Sequence, residues 1–209
     1  MANLTHICLN FKIQSSVTYI LLIAIMLLIC FSCNDKGPKL QNSNTALLKS
    51  AYDHLKSGDS LLFKTANKKA LQSSVRLRDT SGIAETDWNY AHYYAENEIY
   101  DSAYYYYYKS FKAYESVNDH YHTGKMLYNM AFIQSRFNDY RESEEKLFQA
   151  ITKLKPLQKN TSLYRCYNLL GSIYMDIEDY DNSINFHNIS LEYLKKVDQK
   201  KTFRSRHLK

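Results

Sequence analysis

The residues of this sequence that could carry out chemistry are few, and the first candidates are two histidines. The segment Asp119-His120-Tyr121-His122 brings two imidazoles and a carboxylate close together in sequence, and these are ligand types that bind zinc. No third histidine is near in sequence, and alternate residues of a loop need not converge on one ion. We therefore interpret the segment as a solvated loop between helices, and we predict no metal and no other cofactor.

Catalytic motifs that depend on glycine are not found. The five glycines, Gly37, Gly58, Gly82, Gly124 and Gly171, are widely separated, which excludes a G-x-G-x-x-G loop, a P-loop and a G-x-S-x-G elbow. With only two prolines besides, the chain also has too few turn residues for a β-sandwich or barrel. We therefore expect an all-α protein that is not an enzyme and has no catalytic residues.

The positive charge is concentrated at the carboxyl end. The chain has a formal net charge of +6, and residues 195–209 carry seven Lys or Arg side chains against Asp198. The rest of the chain is therefore close to neutral. A uniformly basic surface for nucleic acid is not indicated, and we expect no nucleic acid partner.

The amino end has the pattern of an export signal. Lys12 precedes an uncharged apolar run, Val17 to Ser32, and polar residues follow at once. Ser32-Cys33 at the end of this run resembles the lipobox of bacterial lipoproteins, although Cys30 stands where that pattern prefers Leu. The resemblance implies that residues 1–32 are a signal peptide and that Cys33 is lipidated. An uncleaved signal anchor and ordinary cleavage are the alternatives.

From residue 44 onward the sequence repeats itself every 40 residues. Small residues recur at this interval in three sets, and a tyrosine recurs with them. The members are Ala51, Ala91, Ala131 and Gly171; Ala70, Ser110, Ala150 and Ser190; Ala103, Ser143 and Ser183; and Tyr100, Tyr140 and Tyr180. Periods of this size are typical of arrays in which each unit buries its apolar face on its neighbours.

Each unit is predicted to be a helical hairpin. Apolar residues follow three- and four-residue spacings on both sides of Asn138-Asp139, a typical turn pair. We expect two helices per unit, with turns near residues 58, 98, 138 and 178. The predicted organisation is a polar tether at 33–43, helical units at 44–83, 84–123, 124–163 and 164–203, and a basic tail at 204–209.

These units resemble tetratricopeptide repeats (TPRs). The best match is the fourth unit, and the third and second units also match, whereas the first has Phe63 where the family has a small residue. The matching residues are Leu170, Gly171, Tyr174, Tyr180 and Ser183; Ala131, Ser143, Ala150 and Pro156; and Ala91, Tyr94, Ala103, Tyr107 and Ser110. The usual period is 34 residues, so 40 residues is closer to the longer repeats of kinesin light chain and of bacterial regulators. The resemblance implies a right-handed solenoid of about four repeats.

The resemblance also implies a concave groove, lined by the first helix of each repeat. On this register the groove residues are Trp88, His92, Lys125, Tyr128, Phe132, Arg136, Arg165, Asn168 and Ser172. Aromatic anchors flanked by cations suit a peptide with apolar and acidic residues. Chaperone-binding members of the family hold a terminal carboxylate with an Asn/Lys/Arg clamp, which these positions do not reproduce.

Two further features are interpreted as structural. The run Tyr104–Tyr108 encircles one helix, so we expect Tyr104 and Tyr107 in the core and the other three partly exposed. Cys166 is predicted to be a small buried apolar residue, and His187 is predicted to pack against neighbouring helices.

The function predicted from the sequence is protein–protein interaction. We expect a membrane-anchored lipoprotein of the cell envelope, periplasmic or surface-exposed, that binds an extended peptide or a partner helix in its groove rather than through its basic tail. The alternative is the amino-terminal sensor or regulatory part of a longer bacterial signalling or transcription regulator, because the repeat register stops at the start of a fifth unit.

Overall fold

The computed structural model describes the backbone of residues 38–206 and the side chains of residues 44–197. The chain divides into two compact units, Met1–Gln41 and Asn42–Lys209. The predicted signal peptide and Cys33 lie outside the described residues. Within the described part of the chain, no helix is both long enough and apolar enough to span a bilayer.

The described residues form eight helices and no strand, which confirms the all-α prediction. The helices form regular repeats, and each odd-numbered helix begins a hairpin that the next helix completes. Their bounds are α1 Pro38–Lys56, α2 Ser60–Leu77, α3 Thr80–Glu96, α4 Tyr100–Ser116, α5 His120–Arg136, α6 Tyr140–Leu154, α7 Asn160–Asp176 and α8 Tyr180–Arg206. The recurring tyrosines Tyr100, Tyr140 and Tyr180 each begin the second helix of a hairpin.

The turns within the hairpins lie where the sequence predicts them, at residues 57–59, 97–99, 137–139 and 177–179. Each helix connection contains one residue in the left-handed conformation, and these residues recur every 20 positions. They are Gly58, Arg78, Glu98, Asn118, Asn138, Gln158 and Glu178. From Arg78 onward, the following residue donates its N–H to the carbonyl five positions back, as Asp119 does to Tyr114 at 3.0 Å. This is the Schellman pattern, so the backbone repeats in half-units of the 40-residue period.

The helices begin earlier than the predicted unit boundaries. The hairpins start at Thr80, His120 and Asn160, four residues ahead of the unit starts at 84, 124 and 164. Aspartates set two of these starts, because Asp79 accepts a hydrogen bond from the Gly82 N–H at 2.9 Å and Asp119 accepts one from the His122 N–H at 3.0 Å. Helix α1 begins at Pro38, inside the predicted tether of 33–43. Proline is favoured in the first turn of a helix because its φ is already helical.

The recurring small residues lie where paired helices approach most closely. All of them are buried, with exposed fractions of 0 to 1% for the alanines and serines. Ser143 Oγ donates to the Ala131 carbonyl at 2.8 Å, and Ser183 Oγ donates to the Gly171 carbonyl at the same distance. A larger side chain at these positions would hold the two helix axes apart.

The remaining structural predictions are largely confirmed. Cys166 is fully buried, and burial raises the pKa of its thiol to about 12. His187 packs on Gly171, because a Cβ added at Gly171 would lie 2.7 Å from its imidazole. Of the tyrosine run, Tyr107 is buried, Tyr104 and Tyr106 are half-buried, and Tyr105 and Tyr108 are exposed.

Candidate groove between successive hairpins

The candidate site lies along helix α5 and its neighbours. Helix α5 packs against α4 and α6, and it also contacts α7, the first helix of the next hairpin. One cavity opens between α5 and the α3–α4 hairpin, and a second opens between α5 and α7. Tyr128 and Asn129 line both cavities, so the two cavities are adjacent and share a wall.

The first cavity is mainly apolar and has a volume of about 280 Å³. Its lining residues come from three helices and are His92, Ala95, Glu96, Tyr100, Tyr107, Tyr128, Asn129, Phe132 and Ile133. Tyr107 and Ile133 are buried, whereas the side chain of Phe132 is 43% exposed. His92 Nδ1 lies 3.3 Å from Glu96 Oε1 at the side of this cavity. An apolar side chain of a ligand would find aromatic walls here.

The second cavity has a volume of about 250 Å³ and carries positive charge. Its lining residues are Tyr121, Lys125, Tyr128, Asn129, Thr161, Ser162 and Arg165. Hydroxyl and amide groups accompany the two cations, so the cavity offers hydrogen-bond donors as well as charge. We call it the cationic cavity and the first one the apolar cavity.

Lys125 is held between aromatic rings at the cationic cavity. Its Nζ lies 4.9 Å from the ring centre of Trp88 and 5.6 Å from that of Tyr121, while Lys159 Nζ lies 4.4 Å from the Tyr121 ring centre. Burial lowers the pKa of Lys125, and the nearby Arg165 lowers it further, whereas Glu85 raises it. Among residues 44–197, no carboxylate forms an ion pair with Lys125, Lys159 or Arg165. The charge of these cations is therefore open to an anionic ligand.

The structure brings five of the nine predicted groove residues to the two cavities. His92, Tyr128 and Phe132 line the apolar cavity, and Lys125 and Arg165 join Tyr128 at the cationic cavity.

The other four predicted residues line neither cavity. Trp88 stacks on Tyr52, with ring centres 5.6 Å apart, and supports Lys125 from one side. Arg136 and Asn168 are exposed elsewhere, and Ser172 Oγ donates to the Asn168 carbonyl within α7.

Several cavity residues were not predicted from the sequence. Tyr121 and Asn129 lie four positions before and after Lys125, so the helical period of α5 could have identified them. Tyr100 and Tyr107 come from α4, the second helix of its hairpin, which the family pattern does not assign to the groove. Sequence spacing on α5 carries no signal for them.

The segment from Asp119 to His122 is not the loop that we expected. Asp119 is the amino-terminal cap of α5, and the two histidines lie in the first helical turn. His122 Nδ1 lies 2.7 Å from Asp119 Oδ2, and the imidazole stacks on Tyr114 with ring centres 4.6 Å apart. Among the residues whose placement the structure describes, no three metal-binding side chains converge.

Comparisons with known proteins bear on the fold alone. No model of a known protein family matches the chain, and no curated protein is similar to it at a significant level. Among solved structures, the chain is similar to BtubC (BKLC) from P. vanneervenii, with 17% sequence identity, a TM-score of 0.62, and coverage of 77% of this chain and 75% of that chain. BtubC has a helical repeat fold, and this likeness, together with the eight regular helices, shows that the chain is a helical repeat protein.

Proposed function

We propose that this chain is a TPR-type, non-enzymatic interaction module that binds an extended peptide across the apolar and cationic cavities. Helical repeat proteins generally mediate protein interactions. The observation that carries the proposal is the shared wall at Tyr128 and Asn129, which places an aromatic cavity next to unpaired cations. A peptide with an apolar side chain and a nearby carboxylate would occupy both.

The spacing of the two cavities selects a peptide pattern. On α5, the cationic cavity spans Tyr121 to Asn129 and the apolar cavity spans Tyr128 to Ile133. Their midpoints are about five residues apart, or about 7–8 Å at a rise of about 1.5 Å per residue. In an extended peptide, side chains on the same face recur every second residue, about 6.7 Å apart. We therefore expect an aromatic or large aliphatic residue two positions from an Asp or Glu.

We further propose that Cys33 carries lipid and holds the repeat domain at a membrane of the bacterial cell envelope. The support is the sequence pattern of a cationic start, an apolar run and Ser32-Cys33. Two acyl chains anchor a protein far more stably than one, because each buried CH₂ contributes about 0.8 kcal/mol.

The test of peptide binding is a selection of random displayed peptides on the full chain in detergent micelles. Selected peptides should share an apolar residue and an acidic residue two positions apart. Lys125→Ala should weaken the strongest of them by about tenfold or more, since a charge-assisted hydrogen bond contributes about 1.5–3 kcal/mol. The matched control is Lys155→Ala, which removes an exposed lysine beyond the end of α6.

The selection also shows how the proposal would fail. Absence of any enriched peptide would overturn the proposed function. Enriched peptides that tolerate Lys125→Ala but require Tyr128 would retain groove binding and refute the role of the cationic cavity.

A further inference from the structure

The outward surface of helix α2 differs from that of the other second helices. Residues at equivalent positions of α2, α4, α6 and α8 face away from their hairpin partners, and all but Ile189 are fully exposed. On α2 these residues are Leu61, Thr65, Lys68, Lys69, Gln72, Val75 and Arg76. We call this set, together with the flanking Lys64, the α2 face.

The α2 face is basic without compensation. Helix α2 contains Lys64, Lys68, Lys69 and Arg76 and no acidic residue at all. Within residues 44–197, no carboxylate forms an ion pair with any of the three lysines. Lys64 Nζ instead lies 5.0 Å from the ring centre of Tyr93.

The equivalent faces of the other second helices mix both signs of charge. On α4, Lys109 and Lys112 accompany Asp101 and Glu115, and Lys109 is already paired with Asp87 at 3.0 Å. On α6 and α8, Glu145, Asp181 and Glu192 likewise stand among the cations. The excess positive charge is therefore specific to α2 and is not a general property of this side of the array.

Aliphatic side chains are exposed beside these lysines. The exposed fractions are 75% for Leu61, 48% for Leu62 and 57% for Val75. Exposed leucines and lysines on one helical surface are typical of helices that lie at a membrane interface, where the apolar groups enter the boundary layer and the lysines remain at the headgroups.

We propose that the α2 face binds the surface of a membrane containing anionic phospholipids. Charge complementarity favours an anionic partner, and the exposed aliphatic groups favour one with an accessible apolar layer. A nucleic acid would instead be expected to meet exposed aromatic or arginine side chains that stack on bases, and the α2 face has no aromatic residue. Each lysine close to such a membrane strengthens binding by about fivefold.

This contact leaves the peptide groove open. The α2 face belongs to a second helix, whereas the first helices α3, α5 and α7 supply most of the lining of the two cavities. The inference goes beyond the proposed peptide binding and does not rest on it. It also does not require lipid at Cys33, because the measurement below reports contact of α2 itself and not attachment of the chain.

The experiment measures acylation of individual lysines by an amine-reactive reagent, read by mass spectrometry. The full chain is reconstituted into vesicles of phosphatidylcholine alone, or of phosphatidylcholine with phosphatidylglycerol. We expect Lys64, Lys68 and Lys69 to react at least about fivefold more slowly in the anionic vesicles, and protection to fade at high salt. The exposed Lys155 on the far side of α6 serves as the internal reference.

Two matched charge reversals complete the test. Lys68→Glu/Lys69→Glu should abolish the protection of Lys64, whereas Lys195→Glu/Lys196→Glu, which reverses another adjacent exposed pair, should leave it unchanged. Equal labelling of Lys64 in both vesicle types would overturn the proposal. Protection that persists in neutral vesicles, or after Lys68→Glu/Lys69→Glu, would also overturn it, because it would show that something other than anionic lipid covers α2.

Discussion

The contact between Gly171 and His187 offers the sharpest test of the helix packing. A Cβ built at Gly171 would lie 2.7 Å from Cε1, Nδ1 and Nε2 of the His187 imidazole, closer than such atoms can approach. At the equivalent positions of the preceding hairpin, 40 residues earlier, the chain has Ala131 and Leu147, and both are fully buried. The two hairpins thus fill the same site with different pairs of residues.

Gly171→Ala is expected to destabilise the fold by about 1 kcal/mol. Overpacking costs about 1–3 kcal/mol, and the better helix propensity of alanine offsets up to about 1 kcal/mol of that. Gly171→Leu adds more atoms to the same contact and should destabilise by about 1–3 kcal/mol or more. The double variant Gly171→Ala/His187→Leu recreates the Ala131–Leu147 pair and should recover the wild-type stability.

The assay is urea unfolding of the full chain in detergent micelles, followed by far-UV circular dichroism. The coupling free energy between the two substitutions should be at least about 1 kcal/mol. Gly58→Ala is the control, because Gly58 has a φ of 75° and nothing within 4 Å of an added Cβ. Its destabilisation comes from backbone strain, so His187→Leu should not rescue it. A neutral Gly171→Ala, or the absence of rescue, would refute the packing account.

Three further predictions concern the turns, the anchor and the tail. Glu178→Gly should stabilise the fold by about 0.5–1 kcal/mol, because Glu178 has a φ of 63° and glycine adopts this conformation without steric cost; Asn138→Gly should gain less in the same unfolding assay, and a loss of stability in both would contradict this. A fatty-acid probe should label the wild-type chain in bacteria and not Cys33→Ala, and equal labelling of both would refute lipidation at Cys33. Deleting residues 200–209 should change the affinity of a selected peptide by less than about twofold at moderate salt, since the tail can add only screened attraction; loss of binding would place the site in the tail.

The helices and their pairing could be predicted because their signal is periodic. The small residues Ala131, Ser143 and Gly171 recur at the points of closest helix approach, and that requirement applies equally to every unit. The left-handed residues could not be predicted, because Arg78, Glu98 and Gln158 are residue types that rarely adopt this conformation. The surrounding Schellman hydrogen bonds impose it on whichever residue occupies the position.

The candidate site was only partly predictable from the sequence. Tyr128 and Phe132 share one stripe of α5, so helical spacing was sufficient to group them. The cavities themselves depend on how neighbouring hairpins are arranged, which brings Tyr107 from α4 and Ser162 from α7 to the same helix. Trp88 illustrates the converse, because its spacing fits the groove while its ring is used to stack on Tyr52 and to hold Lys125.

Two phenylalanines allow the most direct test of groove binding. Phe132 lies in the apolar cavity and is 43% exposed, whereas Phe148 lies on α6, outside both cavities, and is 44% exposed. Calorimetric titration of the full chain with its strongest selected peptide should show a loss of about 2 kcal/mol, or about thirtyfold in affinity, for Phe132→Ala. The affinity of Phe148→Ala should remain within about twofold of the wild type. Equal losses in both variants, or a loss in Phe148→Ala alone, would contradict peptide recognition in the groove.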